Sequence, residues 1–378
     1  MSTPKVTHAP AKAPSAPAPG VIGAWVHFWF AAVDPIGLHA LRVLGGALFL
    51  FWLLPFAGDP QALFGLGGWF DATAYREVSR LNILPPHEIG WSLTYLCGTN
   101  SVALTALYWG SVVSVLLFTL GLAPRLTGVL TWMAVVSYTA NPALEYDADT
   151  LLKMLAFYLM LGYLLAGLRR PGQSWPARLL GPREAWLFAR ARSEPPAESV
   201  GANLALRLFQ VHFAIAMVAV GLNKLQIREW WNGLAPWFYV NAPYHTTEEQ
   251  VRSFGPYRET VLVVFSLFAY LTLAWQLAFP AFAWRKGLGR VVSLGGALVA
   301  WLACTFWAQL PLFGPLLVVA CLAYLTPAEW RSWLGRAGRL PGLRSVLRRL
   351  PGAPEAPAVA GPKGGVEARV STVPVGQR

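Results

Sequence analysis

One lysine, two aspartates and a pair of tryptophans are the residues of this chain best suited to chemistry. Lys224 follows the apolar run 214–222 within Asn223-Lys224-Leu225, and Trp230-Trp231-Asn232-Gly233 comes shortly after. Asp147 and Asp149 stand in Tyr146-Asp147-Ala148-Asp149, directly before another apolar block. A lysine at the end of such a block can anchor at the headgroup level, pair with a carboxylate or, once desolvated, act as a base. Lys224 and Asp149 are therefore the candidate catalytic groups, and Asp147, Asn223, Trp230 and Trp231 the candidate substrate-binding groups.

Other ionisable residues fall inside apolar blocks, where charge is expensive. Arg42 lies one to two turns into its block, and either snorkels to the headgroups or ties two helices together. Lys153 and Arg207 stand near the starts of theirs, a position that predicts snorkelling. His212 is expected to be a hydrogen-bonded core histidine, because no second His or Cys lies at metal-ligand spacing. Cys97, Cys304 and Cys321 are an odd, scattered set that gives neither a disulfide framework nor a metal site.

The elements that must carry these residues are set by composition. The 378 residues are 55% hydrophobic and 13% charged, with mean hydropathy +0.46, whereas soluble domains carry about 25% charged residues. Apolar residues occur in long blocks of near-bilayer length, such as 261–279 and 291–307, and Trp or Tyr collects at their ends. The fold class that follows is all-α, a polytopic transmembrane helical bundle of about eight spans with interfacial helices. The blocks fall near 36–55, 102–122, 126–140, 151–168, 203–222, 261–279, 291–308 and 311–326. Residues 56–101, rich in Gly, Pro and Trp, predict short helices on or dipping into the membrane surface.

The transmembrane domain is expected over 21–330. Residues 1–20 and 351–378 are Pro/Ala/Gly-rich without an apolar face and are expected to be disordered. No h-region or cleavage site is apparent at the start, so insertion is expected to rely on the spans. The basic juxtamembrane segment 331–350 reads in two ways, as an amphipathic stretch held on anionic lipid headgroups or as a stop-transfer flank. The formal charge of +12 lies in loops and tail rather than in a folded basic domain, which disfavours nucleic acid as a partner and leaves the lipid bilayer. With the N-terminus inside, Arg125 and the basic loops 169–192, 285–290 and 331–349 all fall on the cytoplasmic side. Asp59, Asp71, Glu145, Asp147, Asp149, Glu248 and Glu249 fall opposite. Eight spans satisfy this rule along the whole chain where seven do not, so both termini are expected in the cytoplasm of a cell with these spans in its inner membrane.

Four stretches resemble the horizontally transferred transmembrane (HTTM) family, whose best-understood relative is the vitamin K-dependent γ-glutamyl carboxylase. They are Asp34-Pro35-x-x-Leu38-x-x-x-Arg42; Gly121-Leu122-Ala123-Pro124-Arg125; Asn141-Pro142 with Tyr146-Asp147-Ala148-Asp149-Thr150-Leu151-Leu152; and Phe213 through Gly221-Leu222-Asn223-Lys224-Leu225 to Trp230/Trp231-Asn232-Gly233. The likeness covers roughly 34–326. It implies structural roles for Arg42, Arg125 and Asn141, and makes Lys224 the counterpart of the carboxylase lysine that acts as base on vitamin K hydroquinone. Two departures weigh against that chemistry. Asp149 stands where the carboxylase has a histidine, and a carboxylate near an ammonium holds it charged. The chain also has only a basic tail where the carboxylase has a lumenal domain.

Three functions remain from these residues. One is a binding, assembly or immunity/export-type factor without carboxylase activity, as some bacterial relatives are. Another is an enzyme acting on a lipophilic small molecule such as a quinone, with Lys224 at its site. A transporter is the third, although no repeat between halves accompanies it. A protein partner is not specified by any of these features.

Overall fold

A computed structural model describes residues 20–81, 91–97, 99–144, 148–166, 180–181, 197–236, 255–306 and 310–337. The expectations for the terminal tails, for most of the basic segment after 337 and for Asp147 lie outside these residues. Among the described residues the fold is all-helical, and the only extended pairing is a single antiparallel bridge between Val33 and Ser199. Helix is the form that lets an apolar segment satisfy its own amides and carbonyls in hydrocarbon.

Fourteen α-helices are described: α1 Val21–Phe30, α2 Ile36–Leu53, α3 Pro60–Phe64, α4 Ala72–Leu81, α5 Leu93–Cys97, α6 Ser101–Leu120, α7 Pro124–Tyr138, α8 Asp149–Leu165, α9 Val200–Lys224, α10 Arg228–Trp231, α11 Arg258–Phe282, α12 Leu288–Phe306, α13 Phe313–Leu322 and α14 Pro327–Ala337. Five stretches are long and apolar enough to cross a membrane: Ile36–Ala57, Ser101–Leu120, Val200–Lys224, Gly255–Phe282 and Leu288–Phe306. They carry the first, second, fifth, sixth and seventh of the expected blocks. The third, fourth and eighth blocks are helical too, but α7 has 15 residues, α8 has 17 and α13 has 10. At about 1.5 Å per residue they fall short of a hydrocarbon core of about 30 Å. Several apolar helices of this kind are compatible with an integral, multi-pass membrane protein.

Helix ends are set by specific residues. The Asn100 side chain accepts from the amides of Val102 and Ala103 and starts α6, and Gly121 closes it in the left-handed region at φ 78°. Pro124 then opens α7, so the Gly121-to-Arg125 stretch is a tight turn, as its sequence predicts. Ser199 caps α9 by accepting from Ala202 N. Between α2 and α6 the chain forms short helices, among them α3, α4 and α5. Asp59 caps α3, and Asp71 caps α4 by accepting from Thr73 and Ala74. Those amides, with that of Gly67, hold the Asp71 carboxyl below its usual range. The sequence reading began at the first long block and missed α1, whose ten residues are too few to span.

α2 runs through the centre of the bundle and touches α6, α8, α13 and α14. Ile36, Leu38, Leu41, Phe49 and Leu53 are buried along it. The outer helices α11 and α12 behave differently, presenting Val263, Leu267, Leu271, Val291, Val299 and Leu302 outward. A belt of that size is what lipid tails would cover.

α8 and α9 run antiparallel at close range. A Cβ on Gly201 would sit 2.5 Å from the Leu165 carbonyl oxygen, and one on Gly162 would meet Leu38 at 2.7 Å and Ala205 at 3.4 Å. Small residues at both crossings permit the approach. Gly201→Val is expected to lower the stability of the purified protein by about 1–3 kcal/mol through overpacking. Gly110→Ala, which meets nothing within 4 Å, is expected to leave the thermal midpoint unchanged or slightly raised. Equal midpoints for Gly201→Val and the parent chain would contradict the contact.

Candidate functional site

The residues singled out in the sequence separate into two groups, at opposite ends of the bundle. The α8–α9 register determines which residues share an end. Leu165 lies beside Gly201, Gly162 beside Ala205, and Tyr158 Oη lies 3.1 Å from His212 Nδ1. Continuing that register carries Asp149, the first residue of α8, to the end of α9 that carries Lys224.

At this lysine end, α9 stops at Lys224 and the chain turns sharply. Leu225 N donates to the carbonyls of Gly221 and Leu222, Ile227 N donates to Lys224 O, and Trp230 N donates to Ile227 O. The turn brings the Trp230 ring back over the end of the helix, with Lys224 Nζ 4.2 Å from the ring centroid. A cation over an indole face contributes about 0.5–2 kcal/mol, more when desolvated. Trp230 is buried against Ala235, Ala269 and Leu273, with Leu225 beside them. Gly233 makes this seat possible. It adopts φ 75°, and a Cβ there would come within 2.7 Å of the Ser266 backbone.

The tryptophan pair therefore divides its work. Trp231 is exposed, donates its indole N–H to Leu225 O at 2.6 Å, and accepts at its carbonyl from Tyr270 Oη at 2.7 Å. Asn223 is exposed, and Lys224 is partly buried. Cys304 of α12 lies close to the Lys224 ammonium. Lys153 is one turn along α8 from Asp149 and is partly buried. Asp149 is itself buried at the N-terminus of α8, where a carboxylate is favoured by the helix dipole. Asn141, also buried, follows α7 at this end and donates to Leu63 O at 3.4 Å.

The arginine end is built differently. Arg42 is fully buried and does not snorkel; its Nη1 donates to Tyr163 Oη at 3.0 Å, tying α2 to α8. Tyr163 Oη also lies 2.6 Å from His39 Nδ1. Arg125 reaches the same tyrosine from α7, donating Nε to Tyr163 O at 3.1 Å and Nη2 to Ala166 O. It thereby covers carbonyls at the C-terminus of α8 that the helix leaves unpaired. Arg42 and Arg125, far apart in sequence, meet on one residue that sequence reasoning did not select.

Gln210 is a second junction the sequence reading missed. Its Oε1 accepts from Arg207 Nη1 at 2.9 Å and Trp284 Nε1 at 3.0 Å, while its Nε2 donates to Ala323 O at 2.7 Å. Tyr324 Oη donates to its backbone carbonyl at 2.5 Å. A glutamine within an apolar block is itself a sign of such a junction. Arg207, expected to reach for headgroups, is turned onto Gln210 and the Phe28 ring of α1 at 4.4 Å. His212 is bonded to Tyr158 but exposed, so it is not the core histidine expected. Asn203 fastens α1 by donating to the carbonyls of Phe28 and Trp29.

Two ion pairs bind α14 to this end. Arg331 meets Asp34 at the start of α2, and Arg290 Nε lies 3.3 Å from Glu329 Oε1. Burial pushes the Glu329 carboxyl up, but donors from Thr326 and Arg290 outweigh it and hold the group below its usual range.

The Lys224–Trp230 contact can be measured by a double-mutant cycle on thermal or denaturant stability. Lys224→Met and Trp230→Leu are expected to show a coupling of about 0.5–2 kcal/mol, and Trp230→Phe to retain part of it. Strictly additive effects would contradict the contact.

No family model, curated protein or solved structure matches this chain.

Proposed function

We propose that this chain is an HTTM-like integral membrane protein of about eight passes, lying in the cytoplasmic membrane with both termini inside. Its lysine end faces outward and receives the polar head of a lipophilic ligand or partner. It works as a binding, assembly or immunity/export-type factor without carboxylase chemistry. The observation that carries this reading is the state of Lys224. Its ammonium rests on the Trp230 ring, and among the described residues none of its N–H groups is spent on a hydrogen bond. A partly buried cation seated on an aromatic face, with its donors available, suits an acceptor brought by another molecule.

Topology has its own support. The three shorter helices alternate in direction with the five long ones, and that alternation brings Arg125, Tyr163, Gln210 and the Asp34–Arg331 pair to one end. Arg285, Lys286, Arg290, Arg331 and Arg336 belong to that end, and Arg76, Arg80, Arg228 and Arg258 to the other, beside Asp59, Asp71, Glu77, Glu229 and Glu259. With Arg42, Arg125 and Arg207 the arginine end carries the larger share of Lys and Arg, which favours it as cytoplasmic. The short helices α3 to α5 suit the outer interface, and α14 with its Trp333 and Arg336 suits the anionic headgroups of the inner one.

The lysine geometry also favours a second reading, an enzyme whose lipophilic substrate is a quinone, because a quinone oxygen is an acceptor such an ammonium can polarise. One experiment addresses both readings. The protein is purified in native lipid and its bound small molecules are identified by mass spectrometry, for the parent chain and for Lys224→Met. The expected result is a lipophilic molecule that the folded Lys224→Met variant has lost; a redox-active quinone in that role would favour the enzyme. An identical set of molecules in both would contradict a receiving role for Lys224. If Lys224→Met loses stability and regains it when Asp149 is also neutralised, the lysine serves a structural pair instead.

Orientation is tested at Cys97 in α5, at the lysine end. An impermeant maleimide is expected to label it from the outer face of the inner membrane once any outer barrier is opened. Labelling only from the cytoplasm would overturn the topology.

A further inference from the structure

His212 is a polar side chain in an unexpected place. It stands midway along α9, twelve residues from both Val200 and Lys224. At about 1.5 Å per residue that is about 18 Å from either end, so where α9 crosses a hydrocarbon core of about 30 Å the ring lies near the midplane. Yet His212 is exposed on the outside of the bundle. Neither water nor a phospholipid headgroup reaches that depth, and an unmatched polar group there is costly.

The hydrogen bonds still open to it are defined by its neighbour. His212 Nδ1 lies 3.1 Å from Tyr158 Oη of α8. Among the described residues the tyrosine hydroxyl has no other acceptor, so its proton goes to Nδ1 and the ring N–H of the histidine is on Nε2. Tyr158 is itself partly exposed. The pair therefore offers one donor, His212 Nε2–H, and one acceptor, the lone pairs of Tyr158 Oη, after the bond that joins them is made.

The surrounding face is shaped for a helix. Leu208, His212, Ile215, Ala219 and Leu222 follow one another along α9 at spacings of 4, 3, 4 and 3. Leu208 is partly exposed and the other four are exposed, Ile215 at 61% and Leu222 at 51%. An apolar repeat that alternates three and four is the seam along which two helices pack side by side, and a single polar residue within it fixes their register.

A second copy of the chain meets both requirements. Copies inserted in one membrane share one orientation, and a two-fold axis along the membrane normal keeps every residue at its own depth. α9 then meets α9 in parallel, and the His212–Tyr158 pair meets its own counterpart. A face that carries one donor and one acceptor is self-complementary about such an axis.

We propose that α9, with Tyr158 of α8 beside it, forms a homodimer interface within the membrane. Each His212 Nε2–H donates to the partner's Tyr158 Oη, and Leu208, Ile215, Ala219 and Leu222 pack along the seam. The proposal rests on α9 crossing the bilayer and is independent of what Lys224 binds.

The test uses the full chain with its three native cysteines replaced and a fluorescent label on the C-terminal tail. It is reconstituted in phosphatidylcholine vesicles over a range of protein-to-lipid ratios, and single-molecule photobleaching counts the copies. The expected result is a dimer that dissociates as lipid dilutes it. His212→Phe and Tyr158→Phe each remove both exchanged bonds, and each is expected to raise the dissociation constant about tenfold. Both side chains reach the surface, so these variants are expected to keep the thermal midpoint of the parent chain at dilutions where it is monomeric. Ile215→Cys is expected to cross-link to its counterpart on mild oxidation far more readily than Leu298→Cys, which is 47% exposed on α12. A monomer at every ratio would overturn the proposal and leave lipid or a small lipophilic molecule to cover the pair. So would a dimer that neither substitution weakens, or equal cross-linking at the two cysteine positions. A chain that alkaline carbonate strips from the vesicles would instead remove the membrane crossing on which the proposal rests.

Discussion

The close antiparallel contact of α8 with α9 is the constraint on which the rest of the structure depends. Two helices in a bilayer gain little from hydrophobic burial against each other, because lipid tails are equally apolar; close van der Waals approach and a few hydrogen bonds must hold them. Gly162 and Gly201 provide that approach, one against Ala205 and Leu38 and the other against the Leu165 carbonyl. From this register both ends follow. Asp149 and Lys224 are carried to one, while Tyr163 is carried to the other, where it can meet Arg42, His39 and Arg125.

The two ends handle charge in opposite ways. At the arginine end the polar groups inside the bundle are spent on other elements: Arg125 on the last carbonyls of α8, Gln210 on Trp284 and the Ala323 carbonyl, Arg290 and Arg331 on acids. At the lysine end Lys224 takes an aromatic face in place of an acid, with Trp231 and Asn223 exposed beside it. Structural polar groups in a membrane protein are paired inward; a polar group left ready for a visitor is a sign of function.

Much of this was legible in the sequence, for a physical reason. A hydrocarbon core demands uninterrupted apolar runs, so the eight helical blocks can be read by eye, and Gly121 to Arg125 announces its own turn. Charge inside such a run is costly enough that Arg42 could be read as a snorkelling group or a tie between helices without knowing its partner, whereas Arg125, in a turn, reads as structural only through the family likeness. The partner was not legible: Tyr163 lies more than a hundred residues from Arg42, in a block where a tyrosine carries no signal of its own. The ten-residue α1 falls below any span-length threshold, and Arg207 shows its inward role only once Phe28 and Gln210 are beside it. Trp230 and Trp231 looked equivalent as neighbours, yet a four-residue helix turns one onto the lysine and the other outward. The HTTM likeness is a reading of those same motifs, in turns and helix ends.

The arrangement of α8 against α9 can be tested most directly by a covalent bridge. An ideal Cβ on Gly162 lies 3.4 Å from Ala205 Cβ, close to the separation of about 3.8 Å that a disulfide spans. Gly162→Cys and Ala205→Cys would be introduced together in a chain whose three native cysteines are replaced, with a protease site placed in the connection between α8 and α9. After mild oxidation and cleavage the two fragments should migrate as one species and separate on reduction. Fragments that separate without reductant, in protein that is otherwise folded, would contradict the register from which both ends of the molecule are built.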